Sequence, residues 1–384
     1  MDLLIKHITT DIIDIPIKRP HQFSTEKITT KSFMIVRLHL TNDIEGIGEG
    51  TTPGIWWNGE SVETMKLVVD QYIKPLLLGK DPRYVEQILA LMDRHIRGNS
   101  FAKAAVEMSI YDALGHVFQV PVHQLLGGAF TKEVPIRWAL ASGSIEGDIN
   151  EGIELYQNHT YQTFKIKSGK ESPEKDVIRS IKIAEGLQGY SAIGVDPNGS
   201  WNRLMTKKWM EELNQAGVEF LEQPLAPEDI DGMSDLVSMK RVPIMADEGI
   251  ASIHDARQIV EKKAADIFSL KIHKFGGMRH TLKVGALAES AGICCFGGTS
   301  LETSIGTAAN LHAFCTLRNL DYGAEIFGPD WLKDDLVVEP LKSKKGTLTL
   351  PEKPGLGIEL DETKFTQYKR HKEENSWNTT MRQP

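Results

Sequence analysis

Seven charged residues recur along the chain, each at the end of a short apolar run. They are Lys165, Lys167, Asp196, Glu222, Asp247, Lys271 and Glu325. From Lys167 onward, the ends of successive runs lie 24 to 29 residues apart. Carboxylates can hold a hard divalent cation, and lysine side chains can donate or accept protons. If the fold brings these residues together, the set predicts metal-assisted acid–base chemistry.

Three of these residues are carboxylates from consecutive runs, namely Asp196, Glu222 and Asp247. A single acidic residue is more often a solvated or ion-paired side chain than a ligand. Three acids at successive run ends, however, form the oxygen-rich set that Mg²⁺ or Mn²⁺ prefers, and no zinc-type spacing of His and Cys accompanies them. The sequence therefore predicts a divalent-metal site, with Glu248 as a supporting residue.

The lysines suit proton transfer. Lys165 and Lys167 lie two residues apart, so their side chains share one face of a strand. Two adjacent ammonium groups with a metal ion nearby lower each other's pKa, and a partly neutral amine can act as a base near neutral pH. Lys271 follows four runs later, where it could serve the opposite face of a carbon atom. For the lysines taken alone, solvated side chains at strand ends are an equally good interpretation.

Eight apolar runs, each followed by a helical stretch, must position these residues. The runs cover 134–140, 163–167, 192–196, 218–222, 243–247, 267–271, 293–297 and 321–325. This alternation is typical of βαβ units, and eight units close a parallel barrel. An open doubly wound sheet is the alternative, but it usually has five or six strands and a glycine-rich first turn, which this sequence lacks. We therefore expect an α/β fold, a (β/α)8-type barrel whose strand ends meet at one mouth.

The N-terminal third predicts a separate α+β unit. Alternating apolar residues indicate strands at 32–40 and 44–50, and the glycines of the second run fit a hairpin end because no helix opens there. A helix is predicted over 101–118, with Asn99 and Ser100 as cap candidates.

The length of 384 residues accommodates two domains. We expect the α+β unit to span residues 1–128 and the barrel to span residues 129–354. A C-terminal segment at about 355–384 is expected to pack back against the first unit.

The amino-acid composition restricts the classes of molecule that the protein is expected to bind. The chain carries 44 Lys and Arg against 52 Asp and Glu, a net charge of -8, which argues against a nucleic-acid or anionic-membrane surface. The lysines and a divalent metal would still make the mouth slightly positive, which suits a small-molecule carboxylate substrate. Three cysteines indicate no disulfide framework, and neither a signal peptide nor a membrane-spanning stretch is apparent. A cytoplasmic enzyme is therefore expected.

Several segments resemble the muconate lactonizing enzyme (muconate cycloisomerase) subgroup of the enolase superfamily. They are 163–167 (TFKIK), 221–224 (LEQP), 244–248 (IMADE), 270–277 (LKIHKFGG) and 325–329 (EIFGP). The resemblance covers almost the whole chain and implies a modified TIM barrel of (β/α)7β form with an N-terminal α+β capping domain. It also implies lactonisation of cis,cis-muconate or a substituted muconate in aromatic catabolism, and a homo-oligomer, with an octamer suggested.

Carried over position by position, the resemblance assigns roles to the charged residues. The ligands of Mg²⁺ or Mn²⁺ would be Asp196, Glu222 and Asp247. Lys167 would be the acid/base that protonates a metal-stabilised enolate, and Lys165 would tune it. Lys271 would be the opposing base or a stabilising cation, and Glu325 would hold the substrate by a hydrogen bond.

The resemblance also implies a lid over the mouth, formed by capping-domain loops near 21–24 and 53–58. Trp56 and Trp57 would supply its apolar surface, although packing between the domains explains two tryptophans equally well. Further candidates for substrate binding are Asn198, Glu248 and Ser300.

Departures from the family pattern leave the substrate open. Ser300 is smaller than the residue usual there in muconate enzymes, and His273, just beyond Lys271, could point into the mouth. An N-acylamino acid racemase or an o-succinylbenzoate synthase would use the same residues and is the alternative. A barrel that binds a carboxylate without turnover is a third possibility, which an intact set of three acids and three lysines disfavours.

Overall fold

The computed structural model of the chain describes residues 3–22 and 27–371. Residues 1–2, 23–26 and 372–384 are not described. Positions 23–24 of the expected lid loop and positions 372–384 of the expected C-terminal segment therefore lie outside the described residues.

The N-terminal unit is an antiparallel sheet covered by helices. Its strands, in sheet order, are β1 (Ile5–Gln22), β2 (Lys27–Leu40) and β3 (Glu45–Gly50). Its helices are α1 (Ile55–Asn58), α2 (Val62–Val68), a π-helical turn (Val69–Ile73), α3 (Lys74–Leu77), α4 (Val85–His95), α5 (Ser100–Phe118) and α6 (Val122–Leu125). The predicted α+β character is confirmed.

Helix α5 is the central helix of this unit and is buried on all sides from Phe101 to Gly115. It packs so closely on β3 that a Cβ atom at Gly48 would lie 2.0 Å from the carbonyl oxygen of Ala105. The glycines of the hairpin therefore allow helix and sheet to approach each other.

The N-terminus of α5 is capped by a distant residue. Asn99 holds the cap position with a φ of 52°, but its side chain bonds to the carbonyl of Arg97 instead of the helix. The Glu60 carboxylate accepts the hydrogen bonds of Phe101 N–H and Ala102 N–H, both at 3.2 Å. Asn99 therefore has the predicted cap position, while the carboxylate that accepts the helix N–H groups comes from another part of the chain.

The second unit contains the remaining strands. They are β4 (Glu133–Pro135), β5 (Arg137–Leu140), β6 (Thr163–Lys167), β7 (Ile193–Asp196), β8 (Val218–Glu222), β9 (Ile244–Ala246), β10 (Ile267–Leu270), β11 (Cys294–Gly297) and β12 (Thr347–Thr349). Strands β5 to β11 form one parallel sheet in sequential order, while β4 pairs with β12 in an antiparallel two-stranded sheet. The predicted run 134–140 is thus divided between two sheets.

Helices follow the barrel strands and cover the outside. They are α7 (Ile145–Gln157), α8 (Pro173–Gly186), α9 (Arg203–Gln215), α10 (Ile230–Ser238), α11 (Ile253–Lys262), α12 (Ile272–Phe275), α13 (Met278–Ala291), α14 (Ser304–Phe314), α15 (Gly328–Trp331) and α16 (Glu362–Tyr368). Among the described residues, no helix is both long enough and apolar enough to cross a bilayer.

The eighth position of the barrel is a single bridging residue. Ala324, within the predicted run 321–325, pairs in parallel with Ile136 on one side and Gly297 on the other, which closes the ring between β5 and β11. A full strand is interrupted by Gly323, whose φ of 66° departs from extended backbone. The expected barrel with its capping domain is confirmed. The prediction of a full eighth strand was wrong, because the run 321–325 contributes one bridging residue.

The C-terminal segment runs along the N-terminal sheet. Lys369 forms a β-bridge with Ile13 of β1, and the Arg370 guanidinium donates to the Asp14 carboxylate at 2.6 Å. Residues as far as 371 thus pack on the first unit, while the boundaries of the domains stay a prediction.

The three cysteines are free thiols. Cys294 is partly exposed in β11, whereas Cys295 in the same strand and Cys315 at the end of α14 are buried. Burial raises the pKa of Cys315 to about 12, so this thiol stays protonated and behaves as a small apolar side chain.

A buried carboxylate joins the two units. Glu107 of α5 accepts hydrogen bonds from the backbone N–H groups of Met278 and Arg279, the latter at 2.9 Å, and thereby caps helix α13 of the barrel. The preceding Gly277 has a φ of 136°, and a Cβ atom there would lie 2.3 Å from a Glu107 oxygen. The carboxylate and the glycine therefore form one joint between the domains.

We expect Glu107→Ala to lower the free energy of unfolding by about 3 kcal/mol, because two buried N–H groups lose their acceptor. Glu86→Ala is the matched control, since Glu86 also reaches α13 but does so through exposed ion pairs with Arg279 and Lys283. It should cost less than about 1 kcal/mol. Denaturant unfolding checks both values, and equal losses would contradict the assigned joint.

Candidate active site

The charged residues at the predicted run ends meet at one mouth of the barrel. Each of them ends its barrel strand or directly follows it, apart from Lys165, which precedes the strand end by two residues. Six are buried, and Lys167 keeps 13% of its side chain exposed. Barrel closure, rather than closeness in sequence, brings them together.

Lys165 lies at the centre of this cluster. Its ammonium group is 2.7 Å from Glu222 Oε2 and 3.2 Å from Asp196 Oδ2, and it also contacts Glu325 Oε2. One buried cation thereby offsets three carboxylates from three parts of the barrel.

Lys167 and Lys271 occupy opposite sides of the mouth. The ammonium group of Lys167 is 2.6 Å from Asp196 Oδ2, the same oxygen that Lys165 contacts, so Lys165 and Lys167 share one face of β6. Lys271 follows β10, four positions away in the ring of eight, and pairs with Asp247 Oδ2.

A fourth lysine of the cluster was not predicted. Lys274 donates hydrogen bonds to Asp247 Oδ1, to the carbonyl of Asp247 and to the carbonyl of Ser269, each at 2.8 Å. It follows Lys271 by three residues on the short helix α12, and that one-turn spacing was the available signal.

Carboxylates control the pKa of these lysines. Burial alone would lower the pKa of Lys165, but attraction to Glu222, Glu325 and Asp196 raises it well above its usual value. The pKa of Lys271 is also raised, by acidic neighbours that outweigh burial. In this arrangement three acids outweigh one neighbouring lysine, and the lowering of the Lys165 pKa expected beside a bound metal ion stays a prediction.

The acids also repel one another. Burial, together with the charges of Asp196, Asp247 and Glu325, raises the pKa of Glu222 to about 8, although Lys165 opposes this shift. Carboxylates held this close together in a buried site are stabilised by any cation that binds among them.

The donor chemistry of the site fits a hard divalent cation. Asp196, Glu222 and Asp247 supply buried carboxylate oxygens at three consecutive strand ends. Within residues 3–22 and 27–371, however, no three His, Cys, Asp or Glu side chains are arranged as an assembled metal site. Each of the three carboxylates is turned toward a lysine instead. Their assignment as metal ligands therefore stays a prediction.

The lysines border a small cavity under the capping domain. Lys167 and Lys271 line it from the barrel, and His21, Trp56 and Trp57 line it from the capping domain. Its volume is about 20 Å³, room for about one water molecule. A substrate can therefore enter only when the capping loop or the side chains of the site move.

The two tryptophans both line the cavity and pack against the domains. The ring of Trp57 lies 4.9 Å from the ammonium nitrogen of Lys271 and meets Phe101 edge-on at 5.8 Å. Trp56 is partly buried against the barrel core. A role in substrate binding stays a prediction for both.

The other candidates for substrate binding differ in position. Asn198 and Ser300 line the cavity. Glu248 lies behind Asn198 and accepts a hydrogen bond from its Nδ2 at 2.9 Å. Asn198 in turn donates its backbone N–H to Asp196 Oδ1 at 2.9 Å, so these residues form a continuous polar chain.

Comparison with known proteins identifies the family. Residues 7–127 match the mandelate racemase / muconate lactonizing enzyme N-terminal domain, and residues 149–364 match the enolase C-terminal domain-like family. Muconate cycloisomerase 1 of Rhodococcus opacus is 40% identical over 361 residues, which covers 94% of this chain and 97% of that relative. The chain belongs to the mandelate racemase / muconate lactonizing enzyme family.

Further members of this family are similar over nearly their whole length. A chloromuconate cycloisomerase of Cupriavidus pinatubonensis is 38% identical over 94% of this chain and 97% of that protein. The crystal structure of muconate lactonizing enzyme from Pseudomonas fluorescens complexed with muconolactone has a TM-score of 0.94 at 36% identity, covering 96% of this chain and 100% of that chain. The predicted enolase-superfamily membership and the prediction of an isomerase are confirmed.

In this member of the mandelate racemase / muconate lactonizing enzyme family, His273 does not face the mouth. Its Nε2 lies 2.8 Å from the carbonyl oxygen of Glu49, and its ring stacks on Phe101 at 5.7 Å. Its Nδ1 is 3.5 Å from Glu302 Oε1. The suggestion that His273 points into the mouth is wrong, because α12 turns the ring into the interface with the capping domain.

Two buried acids that were not predicted fix the loop after β11. Glu302 accepts hydrogen bonds from Ser300 N–H at 2.7 Å and Thr299 Oγ1 at 2.5 Å. Glu49 of the capping domain accepts the Thr303 N–H at 3.1 Å. Neither acid ends a strand of the barrel, so the strand-end pattern could not reveal them.

The His273–Glu302 pair has a defined pH window. Burial alone would lower the pKa of His273, but Glu302 raises it above 6.5. Burial alone would raise the pKa of Glu302, but His273 and hydrogen bonds lower it to about 2. The pair therefore stabilises the fold fully between about pH 4.5 and 6.5, and this contribution is lost as the pH rises through the raised pKa of His273 or falls toward 2.

We expect Glu302→Gln to abolish the pH-dependent stabilisation by the His273–Glu302 pair, because glutamine keeps a hydrogen-bond acceptor but carries no charge. Its melting temperature should fall furthest below that of the wild type near pH 6, and the difference should shrink toward pH 9, because the charge attraction is lost as the pH rises through the raised pKa of His273. Glu289→Gln, at an exposed glutamate, is the control and should show no such trend. A deficit of equal size at both pH values would contradict a charged pair.

Proposed function

We propose that the chain is a divalent-metal-dependent cycloisomerase that lactonises cis,cis-muconate or a substituted muconate. The observation that carries this proposal is that Lys167 and Lys271 border one cavity from opposite sides, at a mouth where three consecutive strands end in carboxylates. A negatively charged substrate of this size suits a mouth at which four lysines gather.

The residues that would hold the cation are Asp196, Glu222 and Asp247. We propose Mg²⁺ or Mn²⁺, since both prefer carboxylate oxygens. The cation would supply positive charge beside a substrate carboxylate, where negative charge builds up during the reaction. The raised pKa of Glu222 supports this assignment, because burial, with added repulsion from the neighbouring acids, disfavours its charged form unless a cation binds beside it.

Lys167 would supply the proton. In the reaction, an oxygen of one substrate carboxylate forms a bond to a carbon of the diene. The electron pair of the diene moves to the carbon next to the other carboxylate, and a proton from Lys167 Nζ is transferred to that carbon. Lys167 suits this role because Asp196 orients its ammonium group at 2.6 Å while part of the side chain reaches the cavity.

Three further residues, Lys165, Lys271 and Glu325, would position the metal ligands and the substrate. Lys165 is bound to three carboxylates and would keep Asp196 and Glu222 in position for the cation. Lys271 would face the substrate from the side opposite Lys167 and balance its negative charge. Glu325 lines the cavity beside Lys167 and Lys271, where its carboxyl group would contact the bound substrate.

An N-acylamino acid racemase or an o-succinylbenzoate synthase is the second candidate. Two lysines on opposite sides of one cavity are what proton transfer to either face of a carbon requires. Exchange of the α-proton of N-acylamino acids in deuterated water would detect the racemase.

The resemblance to muconate enzymes also leads us to propose a homo-oligomer, with eight subunits, that acts in the cytoplasm. Light scattering of the purified protein measures the subunit number directly.

We expect the purified protein with Mn²⁺ to consume cis,cis-muconate with formation of muconolactone, and EDTA to abolish the reaction. Loss of the diene absorbance follows the rate. An unchanged rate after EDTA treatment would contradict the metal dependence, and absence of turnover on plain and substituted muconates would contradict the proposed substrate class.

We expect Lys167→Met to lower kcat by about 10² to 10⁴, because the proton donor is removed while the shape of the side chain is largely kept. Lys170→Met is the matched control, since Lys170 is an exposed lysine three residues further on. It should retain wild-type kcat. If both variants behave alike, Lys167 is not the proton donor.

A further inference from the structure

One hydroxyl group on the cavity wall has no evident use in the folded protein. Ser300 is 1% exposed and lines the cavity with Lys167 and Lys271. Within residues 3–22 and 27–371, its Oγ has no hydrogen-bond partner. Buried polar groups are rarely left unpaired in native proteins, so an unpaired hydroxyl that faces a cavity indicates a ligand group that pairs with it.

The backbone around this hydroxyl is held rigidly. The N–H of Ser300 donates to Glu302 Oε1 at 2.7 Å, and the N–H of Leu301 donates to Thr299 Oγ1 at 2.8 Å. Leu301 has a φ of 64°, a left-handed conformation that is uncommon for leucine and that these bonds maintain. The loop thus presents the Ser300 side chain in a fixed place, while the N–H groups of Ser300 and Leu301 are bonded within the loop.

The barrel topology defines what this hydroxyl faces. Ser300 follows β11, the seventh position of the ring, whereas the three acids follow β7, β8 and β9 at positions three to five. An elongated ligand that binds at these acids and extends across the cavity reaches the opposite side of the ring. That side is formed by the loop after β11 and by the closing residue Ala324. The wall there includes the apolar side chains of Ala139, Leu301 and Phe327.

The unpaired polar atoms of the cavity wall indicate which group the far end of a bound molecule carries. Asn198 Oδ1 and Glu325 Oε1 are also buried without partners in the described residues and belong to residues that line the cavity, but both atoms are acceptors. Neither of these two oxygen atoms can donate a hydrogen bond to a carboxylate, which only accepts, whereas the Ser300 hydroxyl can donate one.

We propose that Ser300 Oγ–H donates a hydrogen bond to the second carboxylate of the substrate and thereby selects dicarboxylates over monocarboxylates. This inference rests on the proposed function, in which the first carboxylate binds at the acids that follow β7 to β9. In the lactonisation, the second carboxylate loses negative charge as its oxygen bonds to carbon. The hydrogen bond from Ser300 therefore contributes more to substrate binding than to the chemical step.

The kinetic expectation follows from this difference. Ser300→Ala should raise KM for muconate about tenfold or more, the usual effect of losing a hydrogen bond to a charged group, with kcat within about twofold of wild type. Ser300→Thr keeps the hydroxyl and should restore most of the affinity. A fall in kcat with unchanged KM would overturn the proposed binding role.

Two saturated acids of six carbons test the selectivity without turnover. Adipate carries two carboxylates and hexanoate carries one, and calorimetry in the presence of Mn²⁺ measures the Kd of each. Ser300→Ala should weaken adipate about tenfold and change hexanoate by less than about twofold. Equal weakening of both acids would show a structural effect and overturn the proposal, as would unchanged adipate binding or failure of adipate to bind the wild type.

The two proposals fail in different ways. If wild type converts muconate but the adipate and hexanoate measurements show no dependence on Ser300, only this inference is overturned. If wild type leaves muconate unchanged while Ser300→Ala weakens adipate alone, the muconate function fails and the dicarboxylate site stands.

Discussion

Buried charge at the barrel mouth is the constraint on which the rest of the site depends. Asp196, Glu222 and Asp247 are at most 1% exposed, a state that carboxylates tolerate only with charged partners. Lys165 pairs with the first two and Lys274 with the third, while other lysines complete the balance. In the proposed reaction the lysines would therefore have two functions, because the charges that would handle protons and substrate are also those that allow the acids to be buried.

The capping domain is attached through the same kind of interaction. Glu107 and Glu49 cross the domain interface to bind backbone N–H groups at the start of barrel helices, where the helix dipole favours a negative group. Burial raises the pKa of both to about 7, so their hydrogen bonds only partly offset the cost of desolvation. Trp57 of the capping domain lies 4.9 Å from the Lys271 ammonium nitrogen across the same interface, so the cavity depends on the interface as much as on the barrel.

Much of the fold was predictable because strand and helix periods are local properties. The strands at 163–167 and 218–222 have the predicted bounds, since apolar runs that end in a charged residue mark both the strand and its carboxyl end. The closing run at 321–325 was predicted, but its reduction to one bridging residue was not, because that residue pairs with neighbours in the ring that are distant in sequence. Capping of α5 by Glu60 was not predicted for the same reason, because Glu60 is distant from the helix start in sequence.

Local residue patterns were enough to predict the seven charged side chains at the mouth, because a period of two along each strand and a regular βα repeat fix the strand ends. It also indicated the family, through short segments around those ends. The pairing of the charges became apparent only in the folded chain, where Lys274 pairs with Asp247 and His273 lies toward Glu302. Pairing depends on distances across the barrel and on the cost of desolvation, and neither is encoded in the local pattern of residues.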